Sequence, residues 1–177
     1  TPVYLSAKQL ELARHLVDAL SDIGLEHVSM DDNGYVLAEL PGTEEGVVGF
    51  CAHLDTSPAY SGEGVKPRLH ENYDGAPIEL KNGVVIDPTD SPELLQCRGD
   101  TIVTSDGTTL LGADDKAGIA AVLGMLEKLR ADASLKYPTV RVCFNPDEEI
   151  GRGSHKFPLE RFNVPVAFTV DGSFPGE

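Results

Sequence analysis

Histidine and carboxylate side chains cluster at four points of the 177-residue chain, in a pattern suited to metal-assisted chemistry. The four groups are His53-Leu54-Asp55, Asp114-Asp115, Asp147-Glu148-Glu149 and Asp171. Carboxylates that pack closely repel one another, so a cation must offset their charge. Ligation by imidazole and carboxylates suits zinc, manganese or cobalt better than calcium. One carboxylate beyond those needed as ligands would be left to act as a general base.

Each group has a simpler structural explanation when it is taken alone. The acidic pairs at residues 148–149 and 171–172 are typical of solvated turns, and the pair at 114–115 precedes a helix that it could cap. A histidine two residues before an aspartate is a weak pattern by itself. The hypothesis of a metal site therefore depends on the joint placement of the four groups.

The elements that must position these groups are predicted strands. Apolar, strand-like segments at residues 47–52, 139–144 and 166–170 each end directly before or close to one of the groups. Ligands of open α/β sheets bind at the carboxyl ends of the strands, so three of the groups are expected at one rim. The fourth group stands just before an apolar run at 117–126, which predicts a buried helix.

Other patterns complete an α/β fold with a mixed, largely parallel sheet flanked by helices. Ser6 and Gln9 have the spacing of a capping box, and they open an amphipathic helix that Gly24 ends. The apolar positions of that helix are Leu10, Ala13, Leu16, Val17, Leu20 and Ile23. Strands are also expected at residues 35–40, with a hairpin or a short excursion before the next strand, and a short helix at 158–162.

Residues 57–110 differ in composition and predict an irregular insertion with short strands. They are rich in Gly, Pro, Asp and Asn and hold only short apolar segments. Asn82-Gly83 and Asp106-Gly107 each lie between two such segments, and each predicts a β-hairpin. Long irregular segments in compact domains often have a function.

Composition excludes several classes of protein. The chain has 14 basic and 29 acidic residues, a net charge of −15, which disfavours binding to nucleic acid or anionic membranes. It contains no Gly-x-Ser-x-Gly elbow and no P-loop motif. Cys51, Cys97 and Cys143 form no C-x-x-C pair, which disfavours a thiolate zinc site and favours the reducing cytoplasm.

Longer stretches, most of them around the four groups, resemble the M20 family of dinuclear zinc peptidases. They are HLDTSP at residues 53–58, ENYDG at 71–75, TTLLGADDKAG at 108–118, FNPDEEIGRG at 144–153 and TVDG at 169–172. The spacing between the stretches agrees as well. The resemblance extends over essentially the whole chain.

The resemblance implies a role for each candidate residue. His53, Asp114 and Asp171 would bind one zinc, and Asp114, with a cis peptide bond after it, would bridge to a second zinc held by Glu149. Asp55 and Glu148 would serve catalysis, Asp55 by orienting the histidine and Glu148 as the general base.

The implied enzyme is a zinc metallopeptidase that releases the N-terminal residue from tripeptides with a water activated between two zinc ions. Members of the family continue beyond the last matching stretch into a lid and dimerisation domain and then complete the catalytic domain. The chain, residues 1–177, is therefore expected to be an N-terminal fragment of one catalytic domain, inactive by itself. The complete protein is expected to be a homodimer that binds neither nucleic acid nor membranes.

Two alternatives remain open on the sequence. One is another M20 activity, such as a dipeptidase, carboxypeptidase or deacylase, which would share the metals and differ in its pocket. The other is a metal-binding module without catalysis.

Overall fold

The computed structural model of the protein describes residues 5–172, which divide into two compact units. The first unit is made of residues 5–57 and 114–171, and it contains every candidate site residue. The second unit contains residues 58–113, most of the stretch whose composition differs from the rest.

The helices and strands are defined as follows. The helices are α1 (Ala7–Ile23), α2 (Ala113–Ala131) and α3 (Leu159–Phe162). The strands are β1 (Glu26–Met30), β2 (Val36–Leu40), β3 (Val47–His53), β4 (Arg68–His70), β5 (Ile78–Glu79), β6 (Val85–Ile86), β7 (Ile102–Thr104), β8 (Thr139–Asn145) and β9 (Ala167–Thr169). Short 3₁₀ helices occupy Lys81–Gly83 and Pro92–Cys97.

The first unit is built on a mixed five-stranded sheet in the order β1-β2-β8-β3-β9. The pairs β8–β3 and β3–β9 are parallel, whereas β1–β2 and β2–β8 are antiparallel. Because β8 separates β2 from β3, the loop between those two strands is an excursion and the alternative of a hairpin is wrong. The predicted α/β class with a mixed sheet flanked by helices is confirmed, and the three parallel strands are the ones that carry candidate site residues.

Alternating side chains on the strands bury both faces of this sheet. One face packs with α1 and α2 in a cluster that includes Leu16, Leu20, Val122, Leu126 and Phe144. The opposite face packs in a smaller cluster, whose buried members are Tyr35, Leu37, Cys51, Cys143 and Phe162. The period of two along β2 and β8 sends successive residues to opposite faces, as a half-buried strand requires.

Helix α1 confirms the predicted start and end. The Ser6 hydroxyl accepts a hydrogen bond from the Gln9 amide at 3.2 Å, and Gly24 adopts the left-handed conformation that ends the helix. The Gln9 side chain does not complete the capping box, because it bonds Asp147 in another part of the unit. Strand β1 was not expected, since only Val28 and Met30 alternate with polar residues along it and so short a pattern does not indicate a strand. It pairs antiparallel with β2.

Helix α2 is buried along one side only, although its sequence is apolar nearly all round. Its buried positions are Asp115, Gly118, Ile119, Val122 and Leu126. Ala120, Ala121 and Gly124 made the sequence look apolar throughout, but they are exposed within this unit. Small residues contribute little apolar area, and one buried stripe is enough to hold a helix against a sheet. The predicted short helix and last strand are confirmed as α3 and β9.

The second unit contains one of the two predicted hairpins. Strands β5 and β6 pair antiparallel around Asn82 and Gly83, whose positive φ angles of 58° and 73° suit the tight turn. The hairpin expected at Asp106-Gly107 is wrong, because β7 pairs with β4 instead. The Asp106 carboxylate accepts hydrogen bonds from the Thr108 amide and from Lys81 Nζ, which closes a compact turn in place of a second strand pair.

The three cysteines are free thiols, and Cys51 and Cys143 are buried on neighbouring strands. Burial raises the pKa of the Cys51 thiol to about 11, which leaves it protonated and unreactive at neutral pH. None of the helices within residues 5–172 combines the length and apolar content needed to span a membrane.

From the hydrogen bonds of Asp106 we predict that the free energy of unfolding depends on pH in the acidic range. Hydrogen bonds from the Thr108 hydroxyl, Lys81 and the Thr108 amide lower the pKa of Asp106, in that order of importance. The stabilisation is therefore present above the unfolded pKa of about 3.9 and is lost as the pH falls through the lower folded pKa. In urea unfolding series, we expect Asp106→Asn to destabilise the protein most above pH 4 and progressively less below it.

The matched control for this experiment is Asp74→Asn. Asp74 is exposed in the same unit and accepts a hydrogen bond from the Ala76 amide. Its substitution shows whether the removal of any acidic side chain from this unit has the same effect. A destabilisation by Asp106→Asn that stays constant from pH 6 to pH 2 would contradict the prediction.

Candidate active site

The end of β3 delivers His53 into the interior of the first unit, where its side chain is 3% exposed. The Nδ1 atom faces the residue two positions on, 3.1 Å from the Asp55 carbonyl oxygen and 3.3 Å from Oδ1. The Nε2 atom lies 2.8 Å from Asp114 Oδ1. The ring is thereby held from the Nδ1 side, and Nε2 is directed toward the carboxylates.

These contacts set the protonation of the imidazole. Burial by itself lowers the pKa of His53, but the hydrogen bonds with Asp55 and Asp114 outweigh it and raise the pKa to about 9. In the absence of a metal the ring therefore carries a second proton at neutral pH. A metal ion that binds Nε2 must displace that proton.

The Asp55 carboxylate joins the end of β3 to the turn after β8. Its two oxygens accept the amide hydrogens of Glu148 and Glu149, each at 3.0 Å. Burial by itself raises the pKa of Asp55. The hydrogen bonds with His53 and with these two amides have the opposite and larger effect, so the pKa of Asp55 is lowered overall. One ionised side chain thus positions the imidazole and both glutamates.

The neighbouring residues Asp114 and Asp115 have different surroundings. Their peptide bond is cis, as the resemblance implies. Asp115 is 1% exposed, and its oxygens accept the amide hydrogens of His53 at 3.0 Å and Gly118 at 3.1 Å. It therefore caps α2 and ties that helix to the end of β3. The side chain of Asp114 is 63% exposed, with its carboxylate at His53 Nε2.

The remaining carboxylates also approach Nε2 of His53. Asp171 Oδ2 lies 3.7 Å away and Glu148 Oε2 lies 3.9 Å away. Two groups of three side chains have ligand atoms within 4.8 Å of one another: His53 with Asp114 and Glu149, and His53 with Asp115 and Asp171. The two groups overlap at His53, so they mark one acidic region around its Nε2 atom.

Lys116 is a basic side chain packed into this acidic region. Its Nζ donates to the carbonyl oxygens of Leu54 at 3.1 Å and Asp55 at 3.2 Å. Burial lowers the pKa of Lys116, although Asp55, Asp114 and other neighbouring carboxylates oppose that shift. The pKa of Glu149 is raised, first by burial and then by the charge of Asp114. The acidic groups thus remain under repulsion that a divalent cation would relieve.

Comparisons with known proteins bear on the family that the chain resembles. Residues 105–172 match the family model described as Peptidase family M20/M25/M40. The chain is 50% identical over 174 residues to peptidase T of Geobacillus kaustophilus, in an alignment that covers 96% of the chain and 42% of that relative. The M20 resemblance is confirmed.

Solved structures give the same result. An aminopeptidase named PepT from Bacillus cereus matches with a TM-score of 0.69 and 25% identity, over 94% of this chain and 39% of that one. A Bacillus subtilis protein described as a dinuclear metal-binding peptidase of the M20 family matches in fold, with a TM-score of 0.56 and 20% identity, over 95% and 38%. The chain spans less than half the length of these relatives.

The structure brings all six residues singled out by the M20 resemblance into one region of the first unit. They are His53, Asp55, Asp114, Glu148, Glu149 and Asp171. Their roles as ligands and base remain predictions. Two supporting residues were missed, namely Lys116 and Gly118. The simpler explanation of residues 114–115 as a helix cap holds for Asp115, whose Oδ1 accepts the Gly118 amide.

Gly118 allows a close approach between α2 and the segment that follows β9. A Cβ atom there would overlap with Asp115 Oδ1 and with the Val170 carbonyl oxygen, which immediately precedes Asp171. In urea unfolding we expect Gly118→Ala to destabilise the protein by about 1–3 kcal/mol, because a backbone atom and a buried carboxylate must move. The same shift should weaken metal uptake in calorimetric titration.

Gly124→Ala on the same helix is the matched control. A Cβ atom at Gly124 would meet nothing within 4 Å, and alanine is the better helix former, so this variant should gain up to about 1 kcal/mol. If Gly118→Ala matched the wild type in stability and metal uptake, the close packing at this point would be unimportant.

Proposed function

We propose that the complete protein is a zinc-dependent aminopeptidase that releases the N-terminal residue from tripeptides. The observation that carries the proposal is the convergence of carboxylates from three chain segments on the buried imidazole of His53. The identity to peptidase T supports the substrate class. Because the chain spans 42% of that relative, the activity of the whole protein is inferred.

The donor set fits two divalent cations. We assign His53, Asp114 and Asp171 to one ion, and Asp114 and Glu149 to the other. Asp115 is not assigned as a ligand, since its two oxygens already accept backbone amides. Imidazole and carboxylate ligands suit zinc. When bound, the ions supply positive charge that acidifies a water molecule and polarises a peptide carbonyl.

Glu148 is the carboxylate left over after the ligands are assigned, and we assign it the role of general base. Its side chain is 52% exposed, so solvent and substrate can reach it. Its backbone is fixed by the hydrogen bond from its amide to Asp55. The carboxylate would take a proton from the attacking water and return it to the leaving amine. Asp55 would fix the position of the Glu148 backbone relative to the His53 imidazole.

The finer assignments of compartment and assembly are also proposals. Three free thiols support a reducing compartment, so we propose the cytoplasm. The homodimer remains a prediction, which sedimentation of the complete protein would test.

Two adjacent glutamates allow a direct test of this assignment. In the complete protein, Glu148→Gln should lower kcat for a tripeptide by about 10²–10⁴-fold while the metal content stays constant, because a base is lost and no ligand is lost. Glu149→Gln should instead lower the metal content measured by atomic emission. Loss of metal from Glu148→Gln, or turnover near that of the wild type, would refute the role of Glu148.

A peptide panel tests the substrate class. We expect kcat/KM for a free tripeptide to exceed that for the corresponding dipeptide and acyl-amino acid by at least about tenfold, since contacts along the peptide contribute to discrimination. The N-acetylated form of the same tripeptide is the control and should resist cleavage. Preference for the dipeptide or the acyl-amino acid, or release of the C-terminal residue, would favour another M20 activity.

A further inference from the structure

The turn that carries Glu148 is held at two points, and only one of them belongs to the candidate site. On one side, Asp55 accepts the amides of Glu148 and Glu149. On the other side, Asp147 is bound to Gln9, a residue of α1 that lies 138 positions away in the sequence.

The contact with Gln9 is reciprocal. Gln9 Nε2 donates to Asp147 Oδ1 at 3.0 Å, and the Asp147 amide donates to Gln9 Oε1 at 3.3 Å. One primary amide therefore satisfies both the side chain and the backbone of the residue that precedes Glu148. A glutamate at this position has two acceptors and no donor, so it could satisfy the backbone amide but would repel the carboxylate.

Asp147 needs such support because of its backbone conformation. Its φ angle is +59°, in the left-handed region that residues other than glycine rarely adopt. The turn is closed behind it by the Arg152 amide, which donates to the Asp147 carbonyl at 2.9 Å, and by the Gly151 amide, which donates to the Glu148 carbonyl at 2.7 Å. A rotation at Asp147 would redirect the side chain that follows it.

Gln9 is well placed to act as a fixed anchor. It lies in the first turn of α1, where its own amide donates to the Ser6 cap. The same helix is pinned to the sheet by Ala13, Leu16 and Leu20, which are at most 4% exposed. The side chain that would have closed the capping box is thereby available to the turn after β8.

We propose that Gln9 is a positioning residue, which acts through Asp147 to hold Glu148 at the orientation needed for proton transfer. The inference rests on the proposed role of Glu148. The Glu148 carboxylate is 3.9 Å from His53 Nε2, beyond hydrogen-bond distance, and half exposed, so the direction of its side chain depends on the backbone of the turn.

The test in the complete, metal-loaded protein moves the negative charge of this contact from residue 147 to residue 9. Gln9→Glu sets two carboxylates against each other and should lower kcat for a tripeptide by about 10- to 100-fold, with KM and metal content unchanged. Asp147→Asn alone keeps an oxygen acceptor for the Gln9 amide, so the decrease in kcat should be smaller in this variant than in Gln9→Glu. The double variant restores both hydrogen bonds with the donor and acceptor side chains exchanged, and it should recover most of the lost kcat. Gln96→Glu, an exposed change of the same kind, is the control and should have no effect.

A second measurement separates this inference from the proposed function. Amide hydrogen exchange of Asp147 and Glu148 should accelerate in Gln9→Ala relative to the wild type, whether or not the protein cleaves peptides. Wild-type protein without peptidase activity would refute the proposed function, and the exchange rates would then decide the inference. Three results would overturn the positioning role. They are an unchanged kcat in Gln9→Glu, a kcat in the double variant as low as in Gln9→Glu alone, and unchanged amide exchange of Asp147 and Glu148 in Gln9→Ala.

Discussion

Repulsion among the carboxylates gathered at His53 is the constraint on which the arrangement of the first unit depends. Backbone amides relieve part of it. The oxygens of Asp55 accept two amides from the turn after β8, and those of Asp115 accept one amide from β3 and one from α2. Each of these carboxylates is thereby both stabilised and used to join separate segments. The more exposed carboxylates keep their mutual repulsion, and this repulsion supports the proposed binding of divalent cations.

The two neighbours Asp114 and Asp115 show how one residue type serves two purposes. The buried member caps α2 and anchors β3, whereas the exposed member meets the imidazole. Lys116 follows immediately and holds the backbone carbonyls beyond His53. The start of α2 therefore supplies a structural carboxylate, a candidate ligand and a cation within three consecutive residues, because successive residues at a helix start point in different directions.

Support for the candidate site also comes from elements that contribute no ligand. Helix α1 is packed on the sheet by ordinary apolar burial, and its Gln9 side chain bonds the turn that carries Glu148. Gly118 lets α2 approach the end of β9. These contacts act on the backbone that precedes a partly exposed side chain of the candidate site.

The sequence by itself determined the class of fold, the main helices and strands, and the residues that meet at the ends of β3, β8 and β9. These follow from local periodicity, capping residues and the rule that parallel strands end at one rim. Only the tertiary structure decided that β8 lies between β2 and β3, that β7 pairs with β4, and that Gln9 bonds Asp147. Strand partners and long-range hydrogen bonds depend on which segments the packed core brings together, and no local pattern of residues encodes that choice.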